Sequence, residues 1–296
     1  MHSDVEAQQY GFSGALVPGV AVFGHMTYPL VKQLGETWLN DYWITIRLAK
    51  PAYHNDHLTI QHGQDGDRHT VRCRARDNLL IAEMVSSPND ADIDPIATAT
   101  PGQESGGRNE IEWDDIHIGE AFPSWQWTPT QAENDAYALE VDDTLPLYAK
   151  GVVHPHAILS MANQSFSRRY VLPAWLHVGS EISFRKSLHL GDTVEIRTVP
   201  VEKWKRKGHE FVDLYLSYLV DGAVAVGMIA ERGDPLVHGG AVGPVRYAAA
   251  VVDFDAVAIA AGEQLADGTA EDLAGQIPQR DIDAAYGRPV GLVGVL

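Results

Sequence analysis

The sequence predicts an α+β fold built from two tandem copies of one helix-plus-sheet unit. The first observation is an internal repeat. Shifting the chain against itself by 136 residues brings 15–60 onto 151–196 without a gap, so that Val17 meets Val153, Ala21 meets Ala157, Ile46 meets Ile182, Lys50 meets Lys186, Asp56 meets Asp192 and Ile60 meets Ile196. The second is that both copies carry the same order of patterns, an apolar stripe of helical period followed by alternating stretches of strand period. The third is physical: a sheet with one apolar face needs a helix to cover it.

In the first copy Val20, Phe23, Met26, Leu30, Val31 and Leu34 recur at helical spacing between "PG" and Gly35, which predicts a helix ending on a glycine cap. Tyr42, Ile44, Ile46 and Leu48 alternate in "YWITIRLAKPAY", the period of a strand with one buried face. "DHLTIQ" and "HTVRCRARDNLLIAEMV" continue the sheet after the turn-rich "HGQDGDR". Residues 86–110, rich in Pro, Gly, Ser and acids and without apolar period, read as a linker. In the second copy "AILSMANQSFSRRY" supplies the helix, and "WLHVGSEISF", "DTVEIRTVPVEKW", "HEFVDLYLSYLV" and "AVAVGMIAE" supply four strands, the last two joined at Asp221-Gly222. The resulting division is a first repeat over 1–90, a linker over 91–110, a second repeat over 111–236 and an extension over 237–296 outside the repeat. The extension reads as one or two helices packed on the sheets or as a partly mobile tail, with no chemistry assigned to it.

The charge balance narrows the partners. Asp and Glu number 40 against 22 Lys and Arg, for a net charge of −18, so nucleic acid and anionic membranes would be repelled and a small molecule is the expected partner. Cys73 is the only cysteine, which excludes an intrachain disulfide and cysteine-rich zinc spacing. No apolar run approaches the ~18 residues of a membrane span. "MHSDVEAQQYGF" lacks the basic and apolar regions of a signal peptide, so a cytoplasmic location is the default expectation. The 13 histidines show no H-E-x-x-H spacing, and neither a metal nor a cofactor is expected.

Four stretches carry a resemblance: "MHSDVEAQQYGFSGALVPGV" at 1–20, "IRLAKPAYHNDHLTI" at 46–60, "IEWDDIHIGEAFPSWQWTPTQAENDAYALEVDDTLPLY" at 111–148, and "WLHVGSEISFRKSLHLGDTVEIR" at 175–197. They resemble the double hotdog fold, and within it the MaoC-like dehydratases and R-specific enoyl-CoA hydratases. The resemblance implies a hydro-lyase acting on an enoyl or 3-hydroxyacyl thioester. It also implies two repeats paired as one pseudo-dimer, with homodimerisation of whole chains as a further expectation.

The family signature runs D-x-N-P-[ILV]-H. Its Asp and His activate water for addition to an enoyl thioester, or catalyse the reverse, while backbone N–H groups at the helix N-terminus polarise the thioester carbonyl. In the second copy Asp143 and Pro146 match, Leu145 replaces Asn and Tyr148 replaces His. In the first copy His2 and Asp4 match the end of the signature. The resemblance therefore implies Asp143, with Tyr148 or His154, as an acid/base pair, or His2 at the other cleft.

The residues have readings of their own. His154 and His156 flank Pro155, a residue suited to a first helical position, where the helix dipole favours a neutral imidazole usable as a base. Asn163 is polar within an apolar helical stripe, and Gly19 would let a ligand approach the backbone. His177 and Ser180 sit at odd spacing on one strand, which places them on opposite faces. Lys205, Arg206 and Lys207, with Lys203, concentrate positive charge that could receive coenzyme A phosphates. Against each stands a structural alternative: a turn, a cap, a packed Tyr or a solvated loop. Two further functions stay open, a hotdog lyase, isomerase or cyclase acting without coenzyme A, and a non-catalytic binding protein.

Overall fold

A computed structural model describes residues 7–8, 12–90, 92–103, 106–171, 175–206, 209–227, 247–252 and 285–287. The N-terminal repeat opens with helix α1 (Gly19–Leu34), continues through the short α2 (Trp38–Asp41), and forms strands β1 (Tyr42–Leu48), β2 (Thr59–Asp65), β3 (Arg68–Arg74) and β4 (Leu80–Pro88). After β5 (Asn109–Glu110) and β6 (Trp125–Trp127) come helices α3 (Gln131–Glu140), α4 (Pro146–Ala149) and α5 (Pro155–Arg169). Then follow β7 (Tyr170–Val171), β8 (Trp175–Phe184), β9 (Val194–Arg206), β10 (His209–Val220), β11 (Ala223–Gly227), β12 (Tyr247–Val252) and β13 (Ala285–Gly287).

The long strands form one antiparallel sheet in the order β13-β2-β3-β4-β1-β8-β11-β10-β9-β6. The repeats meet edge to edge where β1 pairs with β8, with Ile44 opposite Ile182, Thr45 opposite Glu181 and Ile46 opposite Ser180. An offset of 136 turns Thr45 into Glu181, and it exchanges the Ile44–Ile182 pair with the Ile46–Ser180 pair. A pseudo-twofold axis therefore runs through the Thr45–Glu181 pair, and the same offset carries Gly19, the start of α1, onto Pro155, the start of α5. This is the double hotdog arrangement, each long helix lying against the sheet of its own repeat.

The apolar stripes explain the packing. Phe23, Met26 and Leu30 of α1 and Ile158, Leu159 and Phe166 of α5 are buried in one continuous core with the inward residues of β1, β3, β8 and β10. The two helices touch where Gly24 lies: a Cβ there would stand 2.8 Å from Val141 Cγ1 and 3.0 Å from His156 Cβ. Trp38 closes the seam between repeats by packing edge-on against Phe184 at 5.3 Å.

Three features depart from the sequence reading. "HGQD" belongs to β2 rather than to a loop, because Asp65 pairs with Arg68 around a tight turn at Gly66, whose φ is 59°. The linker is a strap on the opposite face of the sheet, where Ala97 joins Val199, Tyr215, Leu219 and Val224 in a small second core. It is held by the Ser217 hydroxyl, which donates to Ala97 O at 2.7 Å. Within 237–296, read as lying outside the repeat, β12 enters the sheet, filling the slot between β8 and β10 beyond the end of β11, and β13 pairs with β2. Among the described residues no helix is long and apolar enough to cross a membrane.

Candidate active site

The segment around "DDTLPLY" is fixed by helices α3, α4 and α5. Helix α3 starts on a capping box in which Thr130 Oγ1 accepts from Glu133 N at 3.3 Å and Glu133 Oε2 accepts from Thr130 N at 3.1 Å. It ends at Glu140, and the φ of 51° at Asp142 then turns the chain back. The Asp143 N–H then donates to Ala138 O at 2.8 Å, and Asp143 Oδ1 accepts from Leu145 N at 2.9 Å. Pro146 opens α4 and presents Tyr148, and His154 caps α5.

These turns bring Asp143, Tyr148 and His154 into one buried cluster. His154 Nε2 lies 3.3 Å from Asp143 Oδ2, with side chains 0% and 1% exposed. His154 Nδ1 accepts the His156 backbone N–H at 3.0 Å, so the ring proton of the neutral tautomer sits on Nε2 and is donated to Asp143. The Tyr148 ring lies 4.3 Å from that of His154. Its hydroxyl is buried and interacts with the Asp143 carboxylate. Burial, and then the nearby Asp143 carboxylate, raise the phenol well above its usual 10.0, which keeps the hydroxyl a proton donor.

The start of α5 differs from the resemblance in one respect. Pro155 has no N–H, the His156 N–H goes to His154 Nδ1, and those of Ala157 and Ile158 go to His154 O. No amide in this first turn is open to a thioester carbonyl. Helix α1 has no side-chain cap on Pro18, and its first helical bonds come from Ala21 and Val22.

The other candidate residues are dispersed. His156 is buried beside the cluster, with Nδ1–H donating to Tyr137 O at 3.3 Å and Nε2 3.8 Å from Glu140 Oε2. Burial, followed by neighbouring His154, pushes its pKa down to about 3. Burial also raises the Glu140 carboxyl. Asn163 lies half-buried further along α5. Gly19 opens α1 beside Leu48 and His177, and a Cβ there would come within 3.2 Å of His177 Nδ1.

His177 and Ser180, expected on opposite faces, are instead joined by a hydrogen bond of 2.8 Å between Nε2 and Oγ. A β-bulge is the reason: Ala248 pairs with Gly179 and Ala249 with His177, so Val178 is an extra residue that resets the alternation. Burial pushes His177 down to about 4.

The basic residues lie in the β9–β10 hairpin. Lys205 Nζ pairs with Glu210 Oε1 at 2.5 Å, Lys203 Nζ donates to Trp113 O at 2.7 Å, and both ammonium groups stand 4.8 Å from the centre of the Trp113 ring. The Arg206 side chain, Lys207 and His2 lie outside the described residues. Among the described residues no group of three or more His, Cys, Asp or Glu could hold a metal ion.

Sequence reasoning missed Asn134, on α3 and 1% exposed. Its amide touches Tyr148 O, Val152 O and His154 N, contacts that depend on how the following loop folds back. The local signal was only a polar residue one position after a capping box.

No protein-family profile matches the sequence, and no curated protein matches it. Solved structures do. A MaoC-like dehydratase aligns with 84% of this chain and 87% of its own, at 12% identity and a TM-score of 0.52. The Mycobacterium tuberculosis protein Rv0216, described as having a double hotdog fold, aligns with 84% of this chain and 86% of its own, at 14% identity and a TM-score of 0.45. At 12% identity the likeness to the MaoC-like dehydratase establishes the fold alone.

Proposed function

We propose that this chain is a hydro-lyase of acyl thioesters, interconverting an enoyl thioester and its 3-hydroxyacyl hydrate at the Asp143, His154 and Tyr148 cluster. The observation that carries the reading is the arrangement itself: a carboxylate oriented by the His154 Nε2–H, beside a buried phenol that stays protonated.

In the dehydrating direction the Asp143 carboxylate takes the proton from C2, and the electron pair moves into the thioester as an enolate. The C3–O bond then breaks, the departing oxygen takes the proton back from the Asp143 carboxyl as water, and the carboxylate is restored. His154 keeps its proton and steers Asp143 throughout. With the first amides of α5 engaged, the Tyr148 hydroxyl is the donor available to the enolate oxygen, a role that needs a hydrogen bond and no ionisation. Hydration is the reverse.

A second reading keeps the cluster and drops coenzyme A, as a lyase, isomerase or cyclase on a small substrate. It is favoured by Lys203 and Lys205, whose ammonium groups are already engaged with Trp113 and Glu210.

Thermal shifts with crotonyl-CoA, a longer enoyl-CoA and free coenzyme A, followed by a hydration assay, separate these readings. The thioester reading expects hydration, with Asp143→Asn slowing turnover by about 10²–10⁴-fold and Tyr148→Phe by about 10²–10³-fold. Absence of binding and turnover with every thioester would transfer the cluster to the second reading. Hydration unchanged in both variants would remove the chemistry from this cluster.

A further inference from the structure

We infer that Asn134 is a positioning residue that sets the geometry between Tyr148 and the Asp143–His154 pair. The inference rests on the reading of those three side chains as the reacting cluster. Asn134 Nδ2 donates to Val152 O at 3.0 Å and to Tyr148 O at 3.4 Å, while Oδ1 accepts from His154 N at 2.7 Å. Both amide protons and one oxygen lone pair are thereby used. The orientation is fixed, because a flipped amide would set its oxygen against two carbonyls and its nitrogen against an N–H.

Helix α3 acts as a bracket. Ala138 and Asn134 stand four residues apart, on one face of the helix. The first holds the backbone of Asp143 through its carbonyl, and the second holds the backbones of Tyr148 and His154 through its side chain. The capping box fixes α3 at residues adjoining Asn134, independently of the cluster. Each of the three reacting groups thus takes its position from the same two turns of helix. The pattern of two donors and one acceptor at this length belongs to Asn. Asp would face two carbonyls with lone pairs, and Ala would take from Val152 O and His154 N the partner Asn134 gives them in the interior, while Tyr148 O keeps the Gly151 N–H.

The test uses the full chain as Asn134→Ala and Asn134→Asp, with crotonyl-CoA as the kinetic probe and 15N-histidine NMR as a readout independent of substrate. In the wild type the His154 ring is expected as the Nε2–H tautomer with a slowly exchanging proton, its signal assigned by loss in His154→Gln. Asn134→Ala should broaden or shift that signal and lower kcat by about 100-fold with KM little changed, the scale of a misplacement near 1 Å. Asn134→Asp keeps an acceptor for His154 N–H, so it should be impaired at pH 8 and partly recover towards pH 6, as its buried carboxyl takes a proton and regains one donor. If the wild type turns over no thioester, the proposed reaction fails while the NMR arm still decides on Asn134. A His154 signal unchanged in both folded variants, with no recovery on acidification, would overturn the inference.

Discussion

His156 is charged in neither the resting cluster nor the core, and that makes it a pH reporter. Its imidazole, 1% exposed, has a pKa pushed down to about 3 against an ordinary 6.5. Between those values the unfolded chain binds a proton that the folded chain refuses, so stability rises with pH across the window. The contribution is complete above pH 6.5 and is lost as pH falls towards 3. Its slope reaches ~1.4 kcal/mol per pH unit at most. Burial lowers His62 and His69 as well, whose rings stack with Nε2 and Nδ1 3.1 Å apart, and all three should act in the same direction. The melting temperature is therefore expected to drop on acidification from pH 6.5. His156→Asn should start lower, and its stability curve should converge on that of the wild type as pH falls. Two curves that stay parallel down to pH 4 would show that this ring is not held neutral. At this scale the sequence carried the local part of the candidate site: Asp143 before a Pro-containing turn, and His154 and His156 around a helix-opening Pro155. It could not carry the His177–Ser180 hydrogen bond, which exists because a bulge shifts the alternation, or Asn134, whose partners lie up to 20 residues away.

Helices α1 and α5 approach closely because Gly24 has no side chain, and the element pays no local penalty it does not recover in contact. Gly24→Ala sets two effects against each other. Alanine favours the helix by roughly 0.5–1 kcal/mol. Its Cβ, however, must enter a space 2.8 Å from Val141 Cγ1 and 3.0 Å from His156 Cβ, and overpacking of this kind costs about 1–3 kcal/mol. The net expectation is a loss of about 1 kcal/mol, read as a fall of about 2–4 °C in melting temperature. A rise would mean that α5 yields at His156, and the cluster beside it would then be softer than its burial suggests. Elements with a strong period were legible: α1, β1, β8 and β10 follow the apolar patterns closely, and the offset of 136 carries α1 onto α5. The linker strap was not, since it docks through Ala97 alone with Ile96 and Ala99 beside it, too few apolar residues to show a period.

The pairing of β1 with β8 makes one molecule of two repeats, and several polar contacts reinforce it. Ser187 N donates to Asn40 Oδ1 at 2.7 Å, the Ser187 hydroxyl donates to Glu36 Oε1 at 2.5 Å, and Asn89 Nδ2 donates to Ser183 Oγ. Without the second repeat, β1 would present a row of unpaired N–H and C=O groups, and α1 would expose the face it turns to α5. The pseudo-twofold relation says what would fill the gap. Thr45 and Glu181 are equivalent across the axis, so a second copy of the N-terminal repeat could offer its own β1 where β8 now lies. Residues 1–110 expressed alone are therefore expected to dimerise or aggregate, whereas the intact chain should unfold in one transition. Light scattering coupled to size exclusion, together with a denaturant titration of the intact chain, checks both. A stable monomeric fragment, or two separate transitions in the whole chain, would show that each repeat closes its own core, and the seam at β1 and β8 would then be a contact between independent domains.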